Sequence, residues 1–157
     1  MPTAEMTLGP FFPREFAAGA NDLTQLDGRP VAGEVIEISG TVTQLDGKPL
    51  DNLVLEIWQA DPQGRFDTPD FLGWGRAATD SQGRYFFRTV RPGVPSIQFL
   101  LLYSGLMRQL QTVMFFHESD AQGIPNGERL LAKKEGPNRY RFDIRLRGEG
   151  ETPFFED

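Results

Sequence analysis

No cysteine occurs anywhere in the 157 residues, which excludes disulfide staples, thiolate zinc sites and cysteine nucleophiles while leaving the compartment open. Histidine is almost as scarce: with a single copy, the chain cannot supply a cluster of imidazoles. Long apolar runs are missing too. A membrane-crossing helix takes about 18 uninterrupted apolar residues, and no such window exists; nor does a basic segment lead into an apolar one at the N-terminus. A soluble, cytoplasmic protein without a secretory signal is therefore expected, with no membrane partner. Basic residues are outnumbered, 16 Lys and Arg against 22 Asp and Glu. The net charge of −6 argues against a nucleic-acid partner, which would need a dense basic surface.

Helical periodicity is the last absence. Apolar residues recur at i+2 rather than i+3 and i+4, and β-branched or aromatic types dominate the runs. What is present is punctuation, 17 Gly and 12 Pro, between short apolar segments that 13 Phe help to fill. Ile36, Ile38, Gly40 and Val42 alternate with Glu37, Ser39, Thr41 and Thr43, the pattern of a half-buried strand. A turn at Asp46-Gly47 joins it to Leu53–Trp58, where Leu53, Leu55 and Ile57 share one face and only Glu56 interrupts the apolar character of the other. Such a strand belongs inside a sheet. A loop with several breakers follows from Asp61 to Pro69; Asp61, Asp67 and Asp70 near it suggest calcium, but their spacing does not fit an EF-hand loop, and metal binding there is not expected.

Gly75–Asp80 and Arg84–Val90 read as a second strand-turn-strand unit, and Ser96–Leu106 and Gln111–Phe116 as two strands apolar enough to be covered on both faces. A last hairpin is expected, entered at Leu130 and Leu131, turning at Glu135–Asn138 and leaving along Arg139–Arg147. In that final strand Tyr140, Phe142, Ile144 and Leu146 alternate without exception with Arg139, Arg141, Asp143, Arg145 and Arg147. The prediction is an all-β, two-sheet β-sandwich of about seven or eight short strands spanning 32–157 as a single domain. Residues 1–31 lack any sustained period and hold aromatics between prolines in Gly9-Pro10-Phe11-Phe12-Pro13. They read as an extended N-terminal arm held by the domain body or by a neighbouring subunit. No internal repeat is visible.

Several segments together resemble the intradiol ring-cleavage dioxygenases, most closely those of the protocatechuate 3,4-dioxygenase type. They are Gly9-Pro10-Phe11-Phe12 in the arm, Glu56-Ile-Trp-Gln-Ala-Asp61, Gly73-Trp-Gly-Arg76, and Tyr140-Arg-Phe-Asp-Ile-Arg-Leu-Arg-Gly148 followed by Glu151-Thr-Pro-Phe-Phe155. Gly40-x-Val42 and Thr79-Asp80-x-x-Gly83-x-Tyr85 are less specific, being similar also to transthyretin-like modules. The resemblance implies a non-haem Fe(III) held by two His and two Tyr, with a His-x-His pair sending both imidazoles to one face of a strand. This chain departs from that set. It has Ser96-Ile97-Gln98 where the pair would be, Val94 where a Tyr would follow Pro-Gly, and a shortened stretch with Phe66 and Phe71 where the other Tyr would be. His117, beside Glu118 and Asp120, reads as a solvated turn residue, and Tyr85, Tyr103 and Tyr140 as core residues.

What the resemblance implies instead is the non-metal, α-type subunit of a mixed assembly, with no catalytic or metal-binding residue of its own. An iron-bearing β-type partner of the same fold would hold the Fe(III) and open a catechol with O2 to a muconate-type diacid. The arm would line the partner's aromatic substrate pocket, with Thr7, Gly9 and Pro10 as the candidate wall: Pro stiffens, Gly lets backbone approach, and the Thr hydroxyl offers a hydrogen bond. The family's α subunit also carries an Arg where this chain has Ser104, so the acidic group of the substrate is left open; Arg108 is not the matching residue. Two rivals share the fold. One is a non-catalytic binding module; the other is a self-contained hydrolase of the transthyretin-like kind, which a single His supports poorly.

Overall fold

The structure, a computed structural model, describes residues 20–44, 47–66, 68–102, 109–146 and 150–155. Among them are seven strands of four residues or more and four shorter ones. In order they are β1 Gln25–Leu26, β2 Arg29–Pro30, β3 Val35–Thr43, β4 Val54–Trp58, β5 Trp74–Ala78, β6 Arg84–Val90, β7 Ser96–Leu102, β8 Leu110–Phe115, β9 Lys133–Gly136, β10 Arg139–Arg141 and β11 Ile144–Arg145. No helix of the described residues is long and apolar enough to cross a membrane.

β3 organises the first sheet. Its strict alternation buries Ile36, Ile38, Gly40 and Val42. On one side it pairs antiparallel with β6, Val35 opposite Val90 and Thr41 opposite Arg84. On the other it pairs parallel with β10 and then β11, Arg139 opposite Glu37 and Ile144 opposite Val42, one strand interrupted at Phe142 and Asp143. The interruption has a local cause. The Tyr85 hydroxyl donates to the Phe142 carbonyl, and the Asp143 carboxylate accepts the Thr41 backbone N–H at 2.9 Å in place of a ladder carbonyl. Gly40 lies beside the gap: a Cβ there would sit 2.0 Å from the Phe142 oxygen, so only glycine allows the strands to approach. β9 pairs with β10, leaving its other side at the sheet edge.

The second sheet is antiparallel throughout, in the order β5-β4-β7-β8. β4 lies inside it, as its two-faced apolar run requires, with every residue but Trp58 buried. Between the sheets the inward residues interlock around Phe99. Its ring lies 6.0 Å from Tyr85, 6.2 Å from Phe87 and 5.2 Å from Phe142, centroid to centroid. Gln59, just past β4, crosses the core edge: its Nε2 donates to the Val90 carbonyl at 2.8 Å and its Oε1 accepts the Thr89 hydroxyl at 2.7 Å.

Several sequence expectations change in detail. The turn after β3 and the turn after β5 do join strands, but strands of opposite sheets, so both are corners of the sandwich rather than hairpins. The second corner is fastened by Thr79, whose hydroxyl donates to the Leu50 carbonyl at 2.6 Å and accepts the Leu53 N–H at 2.9 Å. The last hairpin is entered by Lys133–Gly136; Leu130 ends a short 3₁₀ turn and drops into the core instead. The described end of the expected arm is not extended. Leu23 is buried, and residues 25–30 form a small hairpin whose turn residues Asp27 and Gly28 have φ of 54° and 79°, the left-handed geometry that a two-residue hairpin turn demands.

Candidate functional site

The outer face of the second sheet carries the residues that the sequence marked. Ile57 opposes Phe99 and both point inward, so the next pair, Trp58 and Gln98, points outward. Cross-strand register then sets one outward row of Trp74, Trp58, Gln98 and Val113, and a second of Arg76, Glu56, Leu100 and Gln111. Ser96 stands beyond the first row, opposite Phe115.

At the centre of this face lies an ion pair hidden from water. The Glu56 and Arg76 side chains are 6% and 4% exposed. The guanidinium donates twice to Glu56 Oε2, once from Nε at 3.1 Å, while the Trp74 indole N–H donates to Oε1 at 3.3 Å. The Arg76 guanidinium also stands 5.4 Å from the centre of the Trp74 ring. Two charges are tolerated away from water here because each satisfies the other and the remaining carboxylate oxygen has its own donor. Trp58 packs edge-on against Trp74 at 6.2 Å and is still 46% exposed. A half-exposed indole beside a dry ion pair suits contact with another aromatic group or with protein.

The loop after β4 is built to hold its shape. Asp61-Pro-Gln-Gly-Arg65 and Asp80-Ser-Gln-Gly-Arg84 share a pattern, and both fold alike. In each the Asp carbonyl accepts the Gly N–H at 2.9 Å, one carboxylate oxygen accepts two backbone N–H groups at 2.9 Å, and the other faces the Arg Nε. The N–H groups of Arg65 and Arg84, aided by those of Gln63 and Gln82 and by the guanidinium charges, hold Asp61 and Asp80 below the usual carboxylate range. Asp61 is thus spent on the loop rather than offered to a cation, and its carbonyl also takes the Gly93 N–H at 2.9 Å. That bond brings the loop against the Pro92–Val94 segment. Phe71 is buried and lines a ≈340 Å³ cleft with Val31, Pro62, Arg65 and Asp70, whereas Phe66 is exposed.

These positions do not form a ferric site. Ser96 and Gln98 share the outward face, as a His-x-His pair would, but bring a hydroxyl and an amide where imidazoles are needed; Val94, Phe66 and Phe71 bring hydrocarbon where phenolates are needed. Neither described tyrosine replaces them. Burial, with the Asp143 charge nearby, pushes the Tyr85 hydroxyl far above its ordinary value, which disfavours a phenolate; the Tyr140 oxygen accepts from Arg91 Nη1 at 2.8 Å. His117 is exposed at the end of β8, where its carbonyl accepts the Asp120 N–H. Thr7, Gly9 and Pro10, the expected pocket wall, lie outside the described residues, as do Asp67, Tyr103, Ser104 and Arg108. The Glu56–Arg76 pair was missed by sequence reasoning, although Glu56 stood out as the one polar residue in its strand.

A dioxygenase family model matches residues 7–99. The chain is 33% identical to the protocatechuate 3,4-dioxygenase alpha chain of Pseudomonas putida over 155 aligned residues, covering 79% of this chain and 77% of that one. It is 34% identical to the beta chain from Burkholderia cepacia, covering 86% and 77%. Among solved structures, the dioxygenase domain of a dioxygenase and carbohydrate-binding fusion from Streptomyces sp. SirexAA-E superposes with a TM-score of 0.64 at 27% identity, over 80% of this chain and 86% of that one. The 3-chlorocatechol 1,2-dioxygenase of Rhodococcus opacus 1CP shares the fold with a TM-score of 0.60 at 21% identity, over 79% and 62%.

Proposed function

This chain belongs to the intradiol ring-cleavage dioxygenase family, and from that premise we propose that it serves as the non-metal, α-type subunit of a catechol dioxygenase. The observation that carries the reading is the donor set. The strand that should present two imidazoles presents Ser96 and Gln98 at the same outward positions, while the sandwich around them is intact. The fold has been kept and the ligands have not.

In this reading an iron-bearing, β-type partner of the same fold holds the Fe(III), which supplies the redox chemistry that inserts both atoms of O2 and opens the catechol ring between its hydroxyl carbons to a muconate-type diacid. This chain contributes shape. Its arm lays Thr7, Gly9 and Pro10 along the partner's substrate pocket, a reading that rests on the likeness of Thr7-Leu8-Gly9-Pro10 to the family's arm. Trp58, Trp74 and Gln98 offer an outward surface on which a partner can close, with the Glu56–Arg76 pair fixing the orientation of Trp74. The complex is read as cytoplasmic. With Ser104 where the family's α chains carry an arginine, the reading leaves the acidic group of the catechol open.

Co-expression with a homologous chain that carries the His-x-His pair tests the proposal. Co-purification in fixed ratio, iron in the complex and oxygen uptake on a catechol are expected together. A chain that stays alone beside every such homologue would instead favour the non-catalytic binding module.

A further inference from the structure

The final strand turns a row of arginines outward that the proposed function does not use, and beside it a groove of ≈510 Å³ opens on the outer face of the first sheet. Thr41, Thr43, Lys133, Arg141, Asp143 and Arg145 line it, and the 3₁₀ turn Gly127–Leu130 contributes Glu128 and Arg129 as its wall. The charges are unevenly satisfied. Arg141 is held by Asp143, its Nε 3.0 and 3.1 Å from the two carboxylate oxygens. Arg129 donates from Nη1 to the Glu151 carbonyl at 3.1 Å, with its Nε 3.7 Å from Glu128. Lys133, by contrast, has no carboxylate within ion-pair distance among the described residues. Arg145 Nε is shielded from water and has no hydrogen-bond acceptor among the described residues, although its backbone is fastened to Thr152 through bonds of 2.8 and 2.9 Å.

Arg145 Nε itself lies too deep for a ligand, but the half-buried Arg145 side chain lines the groove and has no carboxylate within ion-pair distance among the described residues, so its charge is free to meet an oxyanion there. Two cations with no ion-pair partner among the described residues face one groove, where basic groups outnumber the Glu128 and Asp143 carboxylates; in a protein of net charge −6 this marks a local reversal of the surface field. We propose that this groove binds a small dianion, a dicarboxylate or a phosphate, between Arg145 and Lys133, with the Thr43 hydroxyl as a further donor. The site is separate from the outer face of the second sheet and does not depend on the dioxygenase reading.

Isothermal titration calorimetry of the full chain, together with any subunit that accompanies it, tests this with inorganic phosphate and with succinate in separate titrations at constant ionic strength. Saturable binding of at least one is expected, weakened about tenfold or more by Arg145→Gln and by Lys133→Gln, since each removes a charge-assisted bond. Arg29→Gln, on the exposed β2, should leave it unchanged. Which probe binds distinguishes the tetrahedral from the planar oxyanion. Should Arg145→Gln fail to fold, the exposed Lys133 decides alone. No saturable heat with either probe in the wild-type chain, or equal weakening by Arg29→Gln and Lys133→Gln, would overturn the proposal.

Discussion

Replacing Arg76 by Met puts the Glu56–Arg76 pair to the sharpest test. The variant keeps most of the side-chain volume but leaves the Glu56 carboxylate, 6% exposed, with the Trp74 indole N–H at 3.3 Å as the one side-chain donor found for it among the described residues. An ionised carboxylate stripped of its buried partner costs about 3–5 kcal/mol. In a chain of this size each kcal/mol lowers the midpoint of thermal unfolding by roughly 2–4 °C, so a drop of about 6–20 °C is expected. The double variant Glu56→Met/Arg76→Met removes both charges together and should recover most of the loss, because the pair itself contributes little net stability against a well-packed apolar row. Urea unfolding followed by circular dichroism gives the free energies, and Trp74 fluorescence reports the local site. The reasoning is refuted if Arg76→Met costs under about 1 kcal/mol, or if the double variant loses as much as the single one.

Gly40→Ala must drive a methyl to within 2.0 Å of the Phe142 carbonyl oxygen, so the parallel pairing of β3 with the final strand should fail, at a cost of about 3 kcal/mol or more, read by denaturant unfolding; a loss within about 1 kcal/mol contradicts the tight approach. Tyr85→Phe leaves that same buried carbonyl without its hydroxyl donor and should cost about 1–3 kcal/mol in the same assay, with no loss meaning that the bond is not formed. Asp61 and Asp80 have folded-state values held below the unfolded value of about 3.9. Their contribution is therefore complete above that value and is lost as pH falls through the folded one. Unfolding stability measured from about pH 6 to about pH 2.5 should fall less steeply for Asp61→Asn/Asp80→Asn than for wild type; parallel curves contradict the loop account.

What could be read from the chain followed the physics of periodicity. The alternation around β3 and in Arg139–Arg147 specified which side of each strand is dry, and the two-faced apolar run of Leu53–Trp58 specified an interior strand, because both depend on residues adjacent in sequence. Sheet membership did not follow. Asp46-Gly47 and Asp80–Gly83 announce a reversal, but whether the strands pair or part is decided by the core between them, and here Thr79 and Leu50 fasten a corner. Leu130 looked like the start of a strand because an apolar residue ending a 3₁₀ turn can also point into the core, while the extended Leu131 beside it makes only a single bridge to Phe115. The Asp27-Gly28 turn was a readable signal within a stretch taken as an arm. At the candidate site, the missing imidazoles were plain from one count of histidine, whereas the partner of Glu56 lay twenty residues away and only strand pairing could bring it in.

The iron content of the purified chain by itself bears most directly on the central claim. Elemental analysis after growth in iron-supplied medium should find far less than one iron per chain and no visible absorption band. One tightly held iron per chain, with the colour of a tyrosinate-bound ferric ion, would contradict it.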